Sequence, residues 1–406
     1  MLKRIDREFL NFAISLYIPG FCIRLGWGLV SPIMSLYALS FGVSYAFVGM
    51  VNTSNALGRI SSDIPLGALC DRIGRRPLTI IGLLIIVASA VLCGFAQNFY
   101  QLIFFRFLMG AAMSMWVISR QAMIADTVDS SIRGRVMSTF QGVNMAGSAA
   151  GPIVGGIIAE FWGYRAPFFF YAAVVFTSFV AALFLVKETS PKLQIRKYEA
   201  KKSSISQISS FLTFSILMAA LTNFSTHIRY SSRGILVPLL GDVTLHLTSI
   251  QIGLVLSAST ISSILVIALG GYIIDRYGRK VALVPSFLLV GLAFSLFPIA
   301  NNFTDAILIS ALLGLASGIG GGATMALAAD LAPKGLEGVF MGFWVTIGDV
   351  GSAIGPIALG LIADISGIAT SFYIVGFIMF LTAGTTQLFV KETLRKNKKT
   401  EDTDED

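Results

Sequence analysis

The sequence predicts an all-α integral membrane protein of twelve transmembrane helices, arranged as two parallel six-helix repeats. Three observations carry this. Apolar runs of about twenty residues or more recur along the chain, the length a helix needs to cross about 30 Å of hydrocarbon. Basic residues collect in alternate loops. The second half repeats the first at an offset of 204 residues.

Hydrophobic residues make up 55% of the 406 and charged residues only 13%, and mean hydropathy is +0.79. That leaves too little polar surface for a water-soluble globule of this size. In lipid each crossing segment must be a helix, because a lone strand would leave its peptide groups unpaired. The twelve spans fall at 10–38, 44–69, 77–95, 99–122, 136–160 and 166–186, then at 209–240, 248–272, 281–300, 304–328, 338–362 and 368–390. They divide the chain into a bundle at 1–190, a linker at 191–208, a second bundle at 209–390 and a charged tail at 391–406. The first apolar run is too long for a signal peptide and lacks a small-residue cleavage site, so it reads as a retained helix. Cys22, Cys70 and Cys93 have neither disulfide nor metal-ligand spacing and read as packing residues.

The net charge of +8 does not point to nucleic acid. Of thirty Lys and Arg, twenty-three lie in the N-terminus, the even-numbered loops, the linker and the tail. Only Arg165 lies in an odd-numbered loop. This is the positive-inside pattern, and it predicts a multi-pass protein of the cell (plasma) membrane with both termini and the linker cytoplasmic. Anionic lipid is the natural partner of that charge. The acidic end, Glu401 to Asp406, reads as a disordered tail.

At the 204-residue offset, Gly67-Ala-Leu-Cys-Asp71-Arg72-Ile-Gly74-Arg75-Arg76 falls on Gly271-Tyr-Ile-Ile-Asp275-Arg276-Tyr-Gly278-Arg279-Lys280. Asp126 falls on Asp330, Gly151-Pro152 on Gly355-Pro356, and Val186-Lys187-Glu188-Thr189 on Val390-Lys391-Glu392-Thr393. Six spans per copy give both copies the same orientation, related by an axis along the membrane normal. Two such bundles can rock around a central site.

With these motifs in place, the chain resembles the major facilitator superfamily over essentially its whole length. The loop after span two matches that family's G-x-x-x-D-R-x-G-R-R signature, with a near-complete copy after span eight. Arg106 followed by Gly110 resembles its second motif. Gly147-x-x-x-Gly151-Pro152-x-x-Gly155-Gly156 resembles the motif of its drug:proton antiporters. The resemblance implies that spans one, four, seven and ten line a cavity, that two, five, eight and eleven form the interface between halves, and that three, six, nine and twelve face lipid. It also implies a gating role for Gly67, Asp71, Arg72, Gly74, Arg75, Asp275, Arg276 and Gly278. Asp71 lies four residues after Gly67, on one helical face, where its carboxylate can meet an arginine or a helix N-terminus. The alternative is that the arginines only anchor the loop inside. Gly147, Gly151, Gly155, Gly156 and Gly355 permit close helix packing, while Pro152 and Pro356 each remove a backbone hydrogen bond and favour a bend.

Embedded charges are expensive and therefore informative. Arg24 lies in span one, Arg59 and Asp63 in span two, Arg106 and Arg120 in span four, Arg229 and Arg233 in span seven, and Asp349 in span eleven. Spans three, six, nine and twelve carry none. Arg24 and Arg229 stand at similar depth and are expected to face each other, with Arg233 one turn away. With Arg106 they form a candidate substrate cavity suited to a carboxylate or phosphate. The alternative is that they bond helix carbonyls or internal acids. Arg120 is expected to snorkel, and Arg59 to pair with Asp63 at i to i+4, with an Arg59 to Asp349 pair as the rival. Asp349, about 16 Å from the start of its helix at ~1.5 Å per residue, is the first candidate for proton coupling and Asp63 the second. His227 reads as a hydrogen-bonding partner.

The expected function is secondary active transport by alternating access, as proton-coupled antiport exporting a small organic compound. The alternative is uptake or exchange of an organic anion. A receptor or channel fits the duplicated gating loops less well. No HExxH, Gly-Lys-Ser/Thr loop or nucleophile motif suggests an enzyme. The expected protein is a monomer that needs no cofactor or metal, draws on a proton gradient, and has lipid and a small-molecule substrate as partners.

Overall fold

Hydrocarbon obliges every crossing segment to satisfy its own peptide groups, and the computed structural model, which describes residues 2–189, 213–333 and 336–394, does so with helices. Span one runs Leu2–Val30, breaks at the turn around Pro32, and resumes at Met34–Leu39. Spans two to six are Tyr45–Ile73, Arg75–Gly94, Phe99–Thr127, Ser130–Trp162 and Ala166–Leu185. Span seven is Phe214–Leu239, extended by a π-turn over Leu240–Thr244 that follows Pro238. Spans eight and nine are Ser249–Arg276 and Arg279–Leu296. Span ten is Phe303–Gly320 and Ala323–Leu331, parted at Gly321 and Gly322. Spans eleven and twelve are Glu337–Ser366 and Ile368–Phe389. The linker at 191–208 and the acidic tail lie outside the described residues.

Several helices outrun the apolar stretches that announced them. Span two continues to Ile73 and span four to Thr127, and span five begins at Ser130. Hydropathy marks the hydrocarbon crossing, whereas the hydrogen-bonded ladder continues into the polar boundary. Among the described residues, nine helices are long and apolar enough to cross by composition alone. Spans one, two and seven are the exceptions. Span one enters with only its apolar stretch Leu16–Val30, whereas spans two and seven contain the Arg59 and Asp63 pair and the His227, Arg229 and Arg233 cluster, so the lower hydropathy of those two reflects the polar groups they bring to the interior.

Packing follows the repeat. Within the first half, span one packs on five and six, two on four, and three on four and six; seven on eleven and twelve, eight on ten, and nine on ten and twelve reproduce this in the second. The halves meet most extensively through two related contacts, span two on eleven and span five on eight, and more lightly where Met34–Leu39 of span one touches span seven. The far-face loops also repeat. Asn98 Oδ1 accepts from the Gln101 amide while Gln101 closes back on the Gln97 amide, and Asn302, Asp305 and Asn301 form the same box. Such boxes satisfy the orphan donors of a helix start.

The two faces of the bundle differ. At the far face, opposite the termini, Gly49 of span two lies against the Pro356 carbonyl and Gly253 of span eight against the Pro152 carbonyl, so closely that a methyl group at either glycine would overlap the opposing backbone. Toward the termini face, a methyl group at Gly67, Gly142, Gly271 or Gly342 would meet nothing within 4 Å. The four interface helices therefore cross tightly at the far face and part toward the termini face.

Candidate functional site: an arginine-lined cavity

A cavity of about 440 Å³ lies where the halves part. Its lining comes from spans one, two, four, five, seven, eight, ten and eleven, and from none of spans three, six, nine and twelve. Ser148 and Ser352 belong to the lining, and each stands four residues before a proline. Proline supplies no N–H, so their carbonyls lose the usual helix donor.

Four arginines line this cavity, Arg24, Arg59, Arg106 and Arg233, and no carboxylate does. Arg24 is exposed to the cavity and forms no hydrogen bond or ion pair among the described residues. Arg106 is only 2% exposed. Its guanidinium lies 4.9 Å from the Trp27 ring centroid, with Nη1 at 3.4 Å from Met109 Sδ, and its Nε has no partner. Arg233 Nη1 donates to Ser259 Oγ at 2.7 Å. Serines and asparagines supply much of the remaining polar wall, while Trp27, Met34, Met145 and Tyr230 supply apolar surface.

The expected pairing of Arg24 with Arg229 across the axis is not the arrangement found. Arg229 Nη1 donates to Ser317 Oγ at 3.0 Å and its guanidinium stacks 4.4 Å from the Tyr230 ring centroid. Arg233, one turn on, reaches the cavity instead. Arg120 does not snorkel. It is 9% exposed and sandwiched between Trp116 and Phe140, at 4.4 Å from each centroid. Two electron-rich ring faces offer an arginine an alternative to water.

Arg59 bypasses Asp63 and bonds Asp349 across the interface, Nη2 to Oδ1 at 2.8 Å, so the rival of the two sequence readings holds. Asp63 has no ion pair among the described residues. The Asp349 side chain is 6% exposed and that of Arg59 is 40% exposed, on the cavity side. A helical neighbour four residues away is worth only a few tenths of a kcal/mol at an exposed site. A buried carboxylate on the opposing helix needs the cation far more. His227 Nδ1 lies 3.1 Å from Ser352 Oγ, and its ring packs against Gly348.

Each copy of the signature loop, to which the resemblance assigned gating, is clasped inside its own half. Asp71, with a side chain 69% exposed, meets Arg75 alone among the described residues, Oδ1 to Nη1 at 3.1 Å. Arg75 Nε also bonds Asp126 Oδ2 at 3.1 Å, and in the second copy Arg279 Nε bonds Asp330 Oδ2 at 2.8 Å. Gly74 and Gly278, at φ 99° and 120°, turn the chain there. The carboxylates of Glu188 and Glu392 then cap the helices that follow, accepting from the Arg75 and Arg76 amides and from the Arg279 and Lys280 amides. Burial opposes the Glu392 charge, but four backbone N–H groups prevail and hold its carboxyl below the usual range. Arg276 bonds the Tyr272 hydroxyl. For Arg72 and Asp275 no ion pair occurs among the described residues. The Lys-Glu-Thr repeat was visible in the sequence, but its capping chemistry was not assigned there.

In span five, Gly147, Gly151 and Gly155 pack on span one of the same half, against Phe21, Gly28 and Leu29. Pro152 and Gly156 face span eight of the other half, and Pro356 faces span two; Gly355 lies against Ile228 and Ser231 of span seven. The glycine-rich motif thus serves two contacts, one internal and one between halves.

A pair of acids that sequence reading passed over closes the far face. Asp364 accepts from the Tyr45 and Ala46 amides at 2.8 and 2.9 Å, and Glu160 accepts from the Ser249 amide at 2.8 Å. Each carboxylate, at the end of span eleven or five, caps the first turn of a helix in the other half. Helix N-termini favour negative charge. Glu160 and Asp364 are 204 residues apart, as are Tyr45 and Ser249, so the repeat register was the signal that could have found them.

The comparisons agree with this architecture. The family model described as Major Facilitator Superfamily matches residues 16–228 and 222–405. The multidrug resistance protein MdtG of Proteus mirabilis (strain HI4320) is 28% identical over 384 residues, 90% of this chain and 93% of that protein. Multidrug resistance protein 2 of Bacillus subtilis (strain 168) is 25% identical over 395 residues, 96% of this chain and 97% of that protein. A crystal structure of the nucleoside transporter NupG superposes with a TM-score of 0.75 at 16% identity, covering 93% of this chain and 100% of that one. Twelve membrane helices in two related halves, the duplicated Asp-Arg-x-Gly-Arg loop and a family match across both halves make this multi-pass membrane protein a transporter of the Major Facilitator Superfamily.

Proposed function

We propose that the chain carries a small organic anion across the membrane by alternating access. One observation supports this above the rest: among the described residues, four arginines line the central cavity, no carboxylate joins them, and only Arg59 is ion-paired. Unneutralised guanidiniums held away from bulk water are costly, and an acidic cargo offsets that cost with charge-assisted bonds. Arg24, Arg106 and Arg233 hold the acid group, and Trp27, Met34 and Tyr230 face the cargo's apolar part. The positive-inside distribution of the loop charges supports a cytoplasmic termini face, and on this reading the protein acts as a monomer in the plasma membrane. The conformation described is then open inward and latched outside.

A second reading, export of a drug-like compound by proton antiport, draws support from the names of the multidrug resistance relatives and from the span-five motif. Its proton site would be Asp349. Counterflow in proteoliposomes separates the two, using radiolabelled benzenesulfonate against benzyltrimethylammonium. The anion reading expects benzenesulfonate to be carried, with Arg24→Gln and Arg106→Gln each lowering flux about tenfold or more, the value of a lost charged hydrogen bond. Transport of the cation alone would sink it.

A further inference from the structure

We propose that Asp349 and an anionic cargo compete for Arg59, so that cargo and proton bind together and cross the membrane in the same direction. This rests on the anion reading of the cavity. It goes beyond it by fixing the sign of coupling, which the antiport reading places the other way.

The geometry is a shared cation. Arg59 gives one nitrogen, Nη2, to Asp349 across the boundary between halves, and its remaining nitrogens make no hydrogen bond among the described residues. It also lines the cavity, while Asp349 lies behind it and does not. An anion entering beside Arg24 and Arg106 therefore meets a guanidinium already committed to a carboxylate. When the anion takes it, the Asp349 charge is left in a site 6% exposed with its counter-ion gone. A buried, unpaired carboxylate is relieved by accepting a proton on its oxygen, which leaves a neutral acid. Conversely, a protonated Asp349 releases Arg59 to the cavity and strengthens anion binding. Linkage makes the two effects equal.

The surrounding groups do not supply a substitute. From span two, Asp349 faces Arg59 and Asp63; from span seven, His227 packs on the adjacent Gly348, with Arg229 two residues further along its helix. Asp63 is a second carboxylate and offers no counter-charge. Arg229 is engaged by Ser317 and Tyr230, and His227 by Ser352. Span twelve has no acidic or basic side chain in the membrane, and Asp330 at the end of span ten is held by Arg279. Arg59 is thus the cation on which the Asp349 charge depends.

One monoanion and one proton carried together move no net charge, whereas exchanging them would move two. The test uses purified protein in nanodiscs and benzenesulfonate, whose own charge does not titrate between pH 5 and 8 in the experiment. In weakly buffered solution with a pH-indicator dye, binding to the wild type should take up protons. Affinity should rise as pH falls, by at most about tenfold per unit, the limit for one linked proton. Asp349→Asn should bind at every pH about as tightly as the wild type does at low pH, with no proton uptake, and Asp349→Glu should restore both. Proton release on binding, or uptake that persists in Asp349→Asn, overturns the proposal. Absence of benzenesulfonate binding overturns the anion reading beneath it.

Discussion

Replacing the far-face acids should tip the protein toward its other state. Asp364 bridges to the amides of Tyr45 and Ala46, and Glu160 to that of Ser249, each joining one half to the other. Asp364→Asn and Glu160→Gln keep the shape and an acceptor oxygen but lose the charge. A carboxylate at a helix N-terminus contributes about 0.3–2 kcal/mol, and hydrogen bonds to charged groups contribute more than neutral ones. Taking about 1–2 kcal/mol per latch, each single change should alter the ratio of states roughly five- to thirtyfold. The latches belong to different helix pairs, so the double variant should lose about 2–4 kcal/mol by additivity. Spin labels at Phe95 and Ile299, both exposed in far-face loops related by the repeat, report the change by pulsed electron resonance in a cysteine-free background. The expected result is a new population at longer distance, minor in the single variants and major in the double. An unchanged distribution in a folded double variant would refute the assignment of these carboxylates as latches.

Other outcomes follow from the same contacts. Gly253→Leu places a side chain on the Pro152 carbonyl, so the far face should fail to close and counterflow should fall below a tenth of wild type; near-normal flux would contradict the close approach. Arg120→Met removes a buried cation whose Nε is unpartnered while keeping a flexible side chain between Trp116 and Phe140. Thermal unfolding should then shift by no more than about 1 kcal/mol, since each cation–π contact is worth about 0.5–2 kcal/mol against desolvation. Glu392 has a lowered pKa in the fold, so its contribution is present above the ordinary carboxylate range and lost as pH falls through the folded value. Wild type and Glu392→Gln should differ in melting temperature at pH 7 and converge toward pH 3, and a gap that stays constant across that range counts against the clasp.

What the sequence revealed depended on the range of the interaction. The helices were legible because membrane crossing needs about twenty apolar residues, and the spans that stay out of the cavity because three, six, nine and twelve carry no embedded charge. The duplicated loops were legible through the 204-residue register. Contacts between distant spans were not. Arg59 has a carboxylate four residues away, and nothing local says that Asp349, 290 residues on, will hold it instead. Arg120 looked like a snorkelling residue because Phe140, the second ring of its sandwich, comes from span five. Arg229 and Arg233 are one turn apart, and nothing local says that Arg229 will bond Ser317 of span ten while Arg233 lines the cavity. Glu160 and Asp364 sit at span ends, where acids are unremarkable until their partners in the other half are known.

The central claim is that the cavity between the halves holds an acidic cargo on its arginines. It is tested most directly by the anomalous signal of iodine in crystals grown with 4-iodobenzenesulfonate. The account predicts an iodine peak inside the cavity, near Trp27 or Tyr230, with the sulfonate oxygens within hydrogen-bond distance of Arg24 and Arg106. An empty cavity at saturating ligand, or a sulfonate held away from every arginine, would contradict it.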